Sequence, residues 1–200
     1  MKKALALALS LVLIIQASGC ARKPRLDITS FEKHVLSDLE LEKKDSTDGQ
    51  ALGYYALDSE MSNYTDAKLD HYSQVYSNAT NGTVGNLFMV YSDYQDATEA
   101  QNFFNELTSA EKDLVISAPN THRSESGKDY LLVLSSKDQL TFNFECLYIK
   151  DDAILFVSIV LSASDASRLD AEWLKKVDKL FKDLQIHSPF GLEPSIEELL

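Results

Sequence analysis

Four histidines are the first candidates for chemistry, because an imidazole ring serves both as a metal ligand and as an acid or base near neutral pH. They are His34, His71, His122 and His187. No pair has the H-E-x-x-H spacing of zinc enzymes, and no C-x-x-C pair accompanies them. A metal site assembled from distant parts of the chain stays open, but local spacing predicts none. We therefore expect no metal and no cofactor, with each histidine at the surface or capping an element.

Nucleophile motifs give no stronger signal. Ser-x-x-Lys occurs twice, at Ser30–Lys33 and Ser109–Lys112. In penicillin-recognising enzymes this motif acts together with S-D-N and K-T-G, and the chain has neither. G-x-S-x-G, Walker A and G-x-G-x-x-G motifs are also missing from the sequence. The acidic run at Asp45 has its glycine one place too early for an EF-hand loop. We predict no catalytic residues and no enzyme; a hydrolase with residues distant in sequence is the alternative.

The N-terminal segment carries the most specific signal. Lys2 and Lys3 give it a positive start, and residues 4–15 are then apolar apart from one serine. This is the layout of a secretory signal peptide. A helix that crosses a bilayer needs roughly 20 apolar residues, and this run is shorter. Residues 1–19 are therefore predicted to be a signal peptide.

The small residues Ala17-Ser18-Gly19 run directly into Cys20. This stretch resembles the lipobox of bacterial lipoproteins, although Ala17 stands where such boxes more often have leucine. The resemblance covers only the first 20 residues. It implies that Cys20 carries a diacylglycerol, that the chain is cut before it, and that the domain lies on the extracytoplasmic side of a cell membrane or envelope. Two acyl chains are what stable anchoring requires. A disulfide between Cys20 and Cys146 is the alternative.

Charge narrows the class of partner. Cleavage removes Lys2 and Lys3, so the net charge of −12 becomes more negative by two. Such an acidic chain argues against nucleic acid as a ligand, since phosphate binding needs clustered lysine and arginine. The exception is the short tether, residues 20–27, which carries Arg22, Lys23 and Arg25. These charges either contact anionic lipid headgroups or simply solubilise the tether.

Aromatic residues suggest where a binding surface would lie. Seven of the nine tyrosines fall within about forty residues, and tyrosine is favoured both in interfaces and in strands. The candidate binding surface consists of Tyr54, Tyr55, Tyr64, Tyr72, Tyr76, Tyr91 and Tyr94. By contrast, Cys146 lies in a strand-like pattern, and we expect a buried, inert thiol there.

Three amphipathic helices are predicted. The first begins near Thr29, which is spaced from Glu32 as in a capping box. The second begins at Asp96, and the third covers residues 165–185 with the strongest apolar stripe. That stripe comprises Leu169, Trp173, Val177, Leu180 and Leu184.

About five strands are predicted, at residues 51–57, 86–92, 130–135, 140–149 and 153–161. The last is almost continuously apolar, which is typical of a strand covered on both faces. These elements indicate a single α+β domain, residues 28–187, with a mainly antiparallel sheet. Residues 188–200 form a tail. The anchor signal, the lack of a catalytic motif and the tyrosine-rich segment together favour a lipid-anchored envelope protein whose domain binds a partner protein or a small ligand without catalysis.

Overall fold

The computed structural model describes residues 26–44, 52–57, 68–79, 85–117, 122–136, 141–162 and 171–192. Three α-helices lie in these ranges: α1 (Ile28–Asp38), α2 (Ala97–Ser117) and α3 (Ala171–Asp183). Eight strands accompany them, and a short 3-10 helix follows at Pro189–Gly191. The strands are β1 (Lys43–Lys44), β2 (Gly53–Leu57), β3 (Leu69–Asn78), β4 (Gly85–Tyr94), β5 (His122–Ser126), β6 (Tyr130–Ser136), β7 (Thr141–Lys150) and β8 (Ala153–Ser162).

All eight strands belong to one sheet in the order β1-β2-β3-β4-β8-β7-β6-β5. The first pair is parallel, and the other neighbours are antiparallel. The α+β class and the mainly antiparallel sheet are therefore confirmed. β8, the apolar strand predicted to be covered on both faces, lies in the interior of the sheet between β4 and β7.

The predicted number of about five strands is wrong. The three that the sequence did not define are β1, β3 and β5. β1 is only two residues long, and β5 is a polar edge strand, so neither has an apolar alternation to detect. β3 does alternate, but Ser73 and Ser77 occupy buried positions on it and hide the pattern.

The sheet has two covered faces, because successive residues of a strand point to opposite sides. On β4, Leu87, Met89 and Tyr91 belong to the core beneath α1 and α3, which we call the first face. Phe88, Val90 and Tyr94 belong to the core beneath α2, which we call the second face.

Helix α1 begins two residues earlier than the capping box predicted. Its N-cap is Asp27, whose carboxylate accepts a hydrogen bond from the Ser30 backbone N–H at 2.8 Å. This hydrogen bond is the main reason that the pKa of Asp27 lies below its usual value. Glu32 does not complete a box with Thr29; it forms an ion pair with Lys43 of β1 instead. Burial of Phe31 and Val35 then fixes the helix on the first face.

Helix α2 begins as predicted, with Asp96 accepting a hydrogen bond from the Thr98 N–H at 2.7 Å. Helix α3 begins at Ala171 in the described residues, and the predicted start and Leu169 lie outside them. The other members of its predicted stripe, from Trp173 to Leu184, are buried on the first face.

The C-terminus of α3 is closed by a Schellman arrangement. The Ile186 N–H donates to the Phe181 carbonyl, and Gln185 follows the helix with φ 57°. The chain then packs back on the first face, where Phe190 contacts Phe144 and Phe181 edge-on. Within the described part of the chain, no helix combines the length and apolar character needed to cross a bilayer.

Candidate functional site

A groove of about 580 Å³ runs between helix α1 and the edge of the sheet formed by β1, β2 and β3; we call it the α1 groove. Its apolar lining comes from Ile28 and Leu36 of α1 and from Tyr54, Leu57 and Tyr72 of the strands. Leu57 and Tyr72 are cross-strand partners in the β2–β3 register, so they form one continuous patch. The volume lies within the range of small-molecule sites.

Charged side chains surround this apolar lining. Lys43 Nζ lies 2.7 Å from Glu32 Oε1, which ties β1 to α1 across the groove. The same ammonium lies 5.7 Å from the centre of the Tyr54 ring, within the range of a cation–π contact. Lys33, Asp70 and His71 complete the polar lining. The groove therefore offers an apolar wall together with groups of both charges.

Tyr54 stays neutral at physiological pH. The pKa of Tyr54 is raised to about 12, chiefly by burial, with Ser73 opposing the rise and the nearby Glu32 carboxylate adding to it. A neutral phenol that cannot ionise is a contact surface and a hydrogen-bonding group rather than a nucleophile or a base.

His71 and Asp93 are the arrangement closest to a catalytic pair. His71 Nδ1 lies 3.3 Å from Asp93 Oδ2, which is the relation of base and orienting carboxylate in a Ser-His-Asp triad. Burial raises the pKa of Asp93, the nearby Asp152 raises it further, and His71 lowers it. Among the described residues that line the groove, none is a serine or cysteine. His71 of the groove lining and Asp93, which lies outside that lining, thus form two parts of a triad without its usual nucleophile.

The seven tyrosines of the sequence prediction lie in different surroundings. Tyr91 is fully buried on the first face, stacked on Phe31 at 4.9 Å, and its hydroxyl donates to the Leu26 carbonyl. Tyr54 lies on the same face. Tyr72 and Tyr94 are buried on the second face, Tyr55 is buried as well, and Tyr64 lies outside the described residues.

Tyr76 is half-buried and joins an aromatic row. Its ring meets Tyr55 edge-on at 5.9 Å and lies 4.9 Å from Phe88. Gln74 links two of the tyrosines, donating to the Tyr72 hydroxyl and accepting from Tyr76. Of the seven, only Tyr54 and Tyr72 line the α1 groove in the described residues. The wider tyrosine surface stays a prediction.

Of the two cysteines, the structure describes only Cys146. Cys20 lies outside the described residues, so its lipidation stays a prediction. Cys146 is a free, buried cysteine on the first face. Burial raises the pKa of its thiol to about 12, so it is protonated at neutral pH. The expectation of a buried thiol is confirmed. A thiol must ionise to act as a nucleophile, so the raised pKa agrees with the predicted inertness.

The remaining histidines occupy three settings. The side chain of His122 lies outside the described part of the structure. His187 is exposed and stacks on Tyr130 at 3.9 Å. His34 lies on α1 beside Asp38 and Asp183, three residues that local sequence spacing did not connect. The separation of 145 positions along the chain between Asp38 and Asp183 left no signal for this cluster.

The polar side of the groove was also missed from the sequence. Glu32, Lys43 and Asp70 belong to three different elements, and only the parallel β1–β2 pair brings Lys43 to α1. The only available hint was that Glu32 and Lys33 lie on the polar side of a predicted amphipathic helix.

Comparison with known proteins gives little beyond this geometry. No family model matches the chain, and no curated protein matches it. Among solved structures, the chain is similar to the extracellular domain of PknH from Mycobacterium tuberculosis, with 10% identity and a TM-score of 0.44. The similarity covers 80% of this chain and 98% of that one.

Proposed function

We propose that this protein is exported, anchored in a cell membrane or envelope through acyl chains on Cys20, and that its α+β domain binds a small ligand in the α1 groove without catalysis. The α1 groove carries the binding part of the proposal: it combines an apolar wall with a charged rim in a volume of about 580 Å³. The resemblance of residues 17–20 to a lipobox supports the anchoring part.

The chemistry of the groove suggests the kind of ligand. Tyr54 and Tyr72 belong to the wall of the groove but are almost fully buried, so the half-buried Ile28 and Leu36 supply accessible apolar area. The ammonium of Lys43 and the carboxylates of Glu32 and Asp70 can pair with polar ends of either sign. A small molecule with an aromatic or aliphatic body and a charged end fits this lining. The hydrolase alternative lacks a supporting observation, since the described lining offers the His71–Asp93 pair no serine or cysteine partner.

The binding proposal is tested by NMR with a library of aromatic carboxylates and aromatic amines. The backbone amide resonances of residues in α1, β2 and β3 should shift on ligand addition. Ala56 is exposed at the groove, so Ala56→Trp should fill it and weaken binding at least tenfold. Ala97→Trp is the matched control, because Ala97 is an exposed alanine of α2 outside the groove lining. Shifts that persist unchanged in Ala56→Trp would place the ligand elsewhere.

The anchoring proposal is tested separately by metabolic labelling with a radioactive fatty acid. The wild-type chain should take up label and sediment with membranes, whereas Cys20→Ala should do neither. Cys146→Ala is the control for the second cysteine and should behave as wild type. Label retained in Cys20→Ala would contradict lipidation at Cys20.

A further inference from the structure

A side-chain cluster on the opposite side of α1 has the composition and spacing of a metal site. His34 and Asp38 lie one turn apart on α1, and Asp183 is the last residue of α3. His34 Nδ1 lies 3.3 Å from Asp38 Oδ2 and 3.8 Å from Asp183 Oδ2. The three candidate ligand atoms all lie within 4.8 Å of one another.

Two of these atoms are buried without a hydrogen bond. Asp38 is 6% exposed; its Oδ1 accepts from Ser37 and Lys179, but its Oδ2 has no hydrogen-bond partner among the described residues. His34 Nδ1 likewise has none within the part of the chain that the structure describes. The two atoms face each other at 3.3 Å without hydrogen-bond geometry. A buried polar atom without a hydrogen bond costs free energy, and a bound ion would supply the missing partner.

We propose that His34, Asp38 and Asp183 bind one divalent transition-metal ion of the zinc class, clamping α1 to α3. Zinc binds histidine nitrogen and carboxylate oxygen at about 2.0–2.2 Å, and a tetrahedral arrangement then puts ligand atoms about 3.3 Å apart. The His34–Asp38 separation already has this value. Asp183 lies farther out, 3.8 Å from His34 Nδ1 and within 4.8 Å of the Asp38 ligand atom, so its half-exposed carboxylate must move inward to complete the set. Three protein ligands leave the fourth position for water.

Lys179 is the counter-ion of the two carboxylates in this cluster. Its ammonium pairs with Asp38 and lies 2.7 Å from Asp183 Oδ2. The Lys179 side chain is 57% exposed, so it can turn towards solvent when a metal takes over its two carboxylates. Lysine is therefore a competitor for the site, and its removal should tighten metal binding. A salt-bridge network without metal affinity predicts no metal binding, with or without Lys179.

The ligand set also predicts selectivity. Imidazole nitrogen favours zinc, cobalt, nickel and copper over the hard cations. Calcium needs six to eight oxygen ligands, and magnesium prefers an octahedral oxygen shell. Neither requirement is met by one nitrogen and two carboxylates. Zinc and cobalt should bind, and calcium and magnesium at the same concentration should not.

Binding of Co²⁺ to the full chain carrying Cys20→Ser tests the proposal, in detergent and without a histidine tag, so that no other strong ligand is introduced. One equivalent should produce the visible absorption of four-coordinate cobalt, and Zn²⁺ should abolish it by displacement. Asp183→Asn should weaken Co²⁺ binding about tenfold or more. Asp183 is 36% exposed, so this variant should fold. His34→Ala should abolish the absorption, with circular dichroism as the check on folding.

Two variants are matched controls, and a third reverses the effect. His71→Ala removes a histidine that also lies 3.3 Å from an aspartate, and Lys182→Ala removes an α3 lysine that pairs with Asp178. Both should bind Co²⁺ as the parent does. Lys179→Ala should bind about three- to tenfold more tightly, the equivalent of one or two exposed ion pairs. Absence of the cobalt spectrum, equal binding by Ca²⁺, or weaker binding in Lys179→Ala would overturn the proposal.

Discussion

The two faces of the sheet are built from the same strands but differ, among the described residues, in how many apolar side chains they bury. The first face holds more than twice as many buried hydrophobic residues as the second among the described residues. Two helices and the chain after α3 cover it, and Trp173 and Phe181 lie in its interior. The described side chains of α2 cover the second face through Ala100, Phe103, Phe104 and Leu107.

The two faces also differ in how their polar side chains are hydrogen-bonded. On the first face, Trp173 Nε1 donates to Ser77 Oγ at 3.0 Å, and the Tyr148 hydroxyl donates to the His187 carbonyl at 2.6 Å. These are single, specific pairs inside a core. On the second face, Gln74 joins Tyr72 and Tyr76 in a half-buried row. We infer that the first face determines stability, whereas the second tolerates substitution.

The largest expected difference between the faces concerns thiol reactivity. In the Cys20→Ala chain, Cys146 is the only thiol, and its pKa of about 12 stands well above the ordinary value of 9.0. At pH 8 the thiolate fraction is then about a thousandfold lower than for an ordinary cysteine. Iodoacetamide should alkylate Cys146 about a thousandfold more slowly in the native protein than in urea, measured by mass spectrometry.

Moving the thiol by one position along β7 places it on the second face, so its reactivity can be compared with that of Cys146. Glu145 is next to Cys146 on β7 but faces the second side and is half-buried. In the triple variant Cys20→Ala, Glu145→Cys, Cys146→Ala, the thiol should react at least tenfold faster in the native state. Equal protection at both positions would mean that the second face is as tightly closed as the first.

A second test compares matched phenylalanines in the two cores. Phe181 is 0% exposed on the first face, whereas Phe103 is half-buried on the second. Phe181→Ala should lower the free energy of unfolding by about 3–5 kcal/mol, and Phe103→Ala by about 1–2 kcal/mol. Urea denaturation measures both values. Equal losses would contradict the difference in closure.

A third test adds a methyl group to the first face. A Cβ at Gly85 would lie 2.8 Å from Trp173 Cζ3, closer than real side-chain atoms approach. Gly85→Ala should therefore lower the free energy of unfolding by about 1–3 kcal/mol, because the indole must shift in a filled core. Gly191→Ala is the control, since nothing lies within 4 Å of its added Cβ. Urea denaturation should separate the two, and a neutral Gly85→Ala would show free space beside Trp173.

The faces also differ in how well the sequence predicted them. The apolar stripe of α3 and the apolar run of β8 could be recognised in the sequence, because such patterns survive without tertiary context. The buried serines of β3 could not be recognised in the sequence. Ser77, for example, is buried as the hydrogen-bond partner of Trp173, which belongs to a distant helix. A small residue opposite a large indole looks polar in the sequence and is core in the structure.

The candidate sites were less predictable than the fold. Tyr54 and Tyr72 were singled out from composition, but their groove depends on α1 lying against β2 and β3. Lys43 reaches Glu32 through the two-residue strand β1, which has no sequence pattern of its own. The His34 cluster joins two helices far apart in the chain. His34 and Asp38 are one helical turn apart, but the third member, Asp183, is brought to them only by the packing of α3 against α1.

The smallest expected difference separates two tyrosine hydroxyls, one on each face. Tyr148→Phe leaves the His187 carbonyl without its buried donor, so it should lower the free energy of unfolding by about 1–2 kcal/mol. Tyr76→Phe removes a hydroxyl that donates to Gln74 at 3.1 Å on the half-buried row, where solvent can replace it. Its loss should be about 0.5 kcal/mol. Urea denaturation of the two variants, which delete the same atom, measures the value of a hydrogen bond on each face. A larger loss for Tyr76→Phe would reverse the ranking and mark the tyrosine row as the more closed of the two environments.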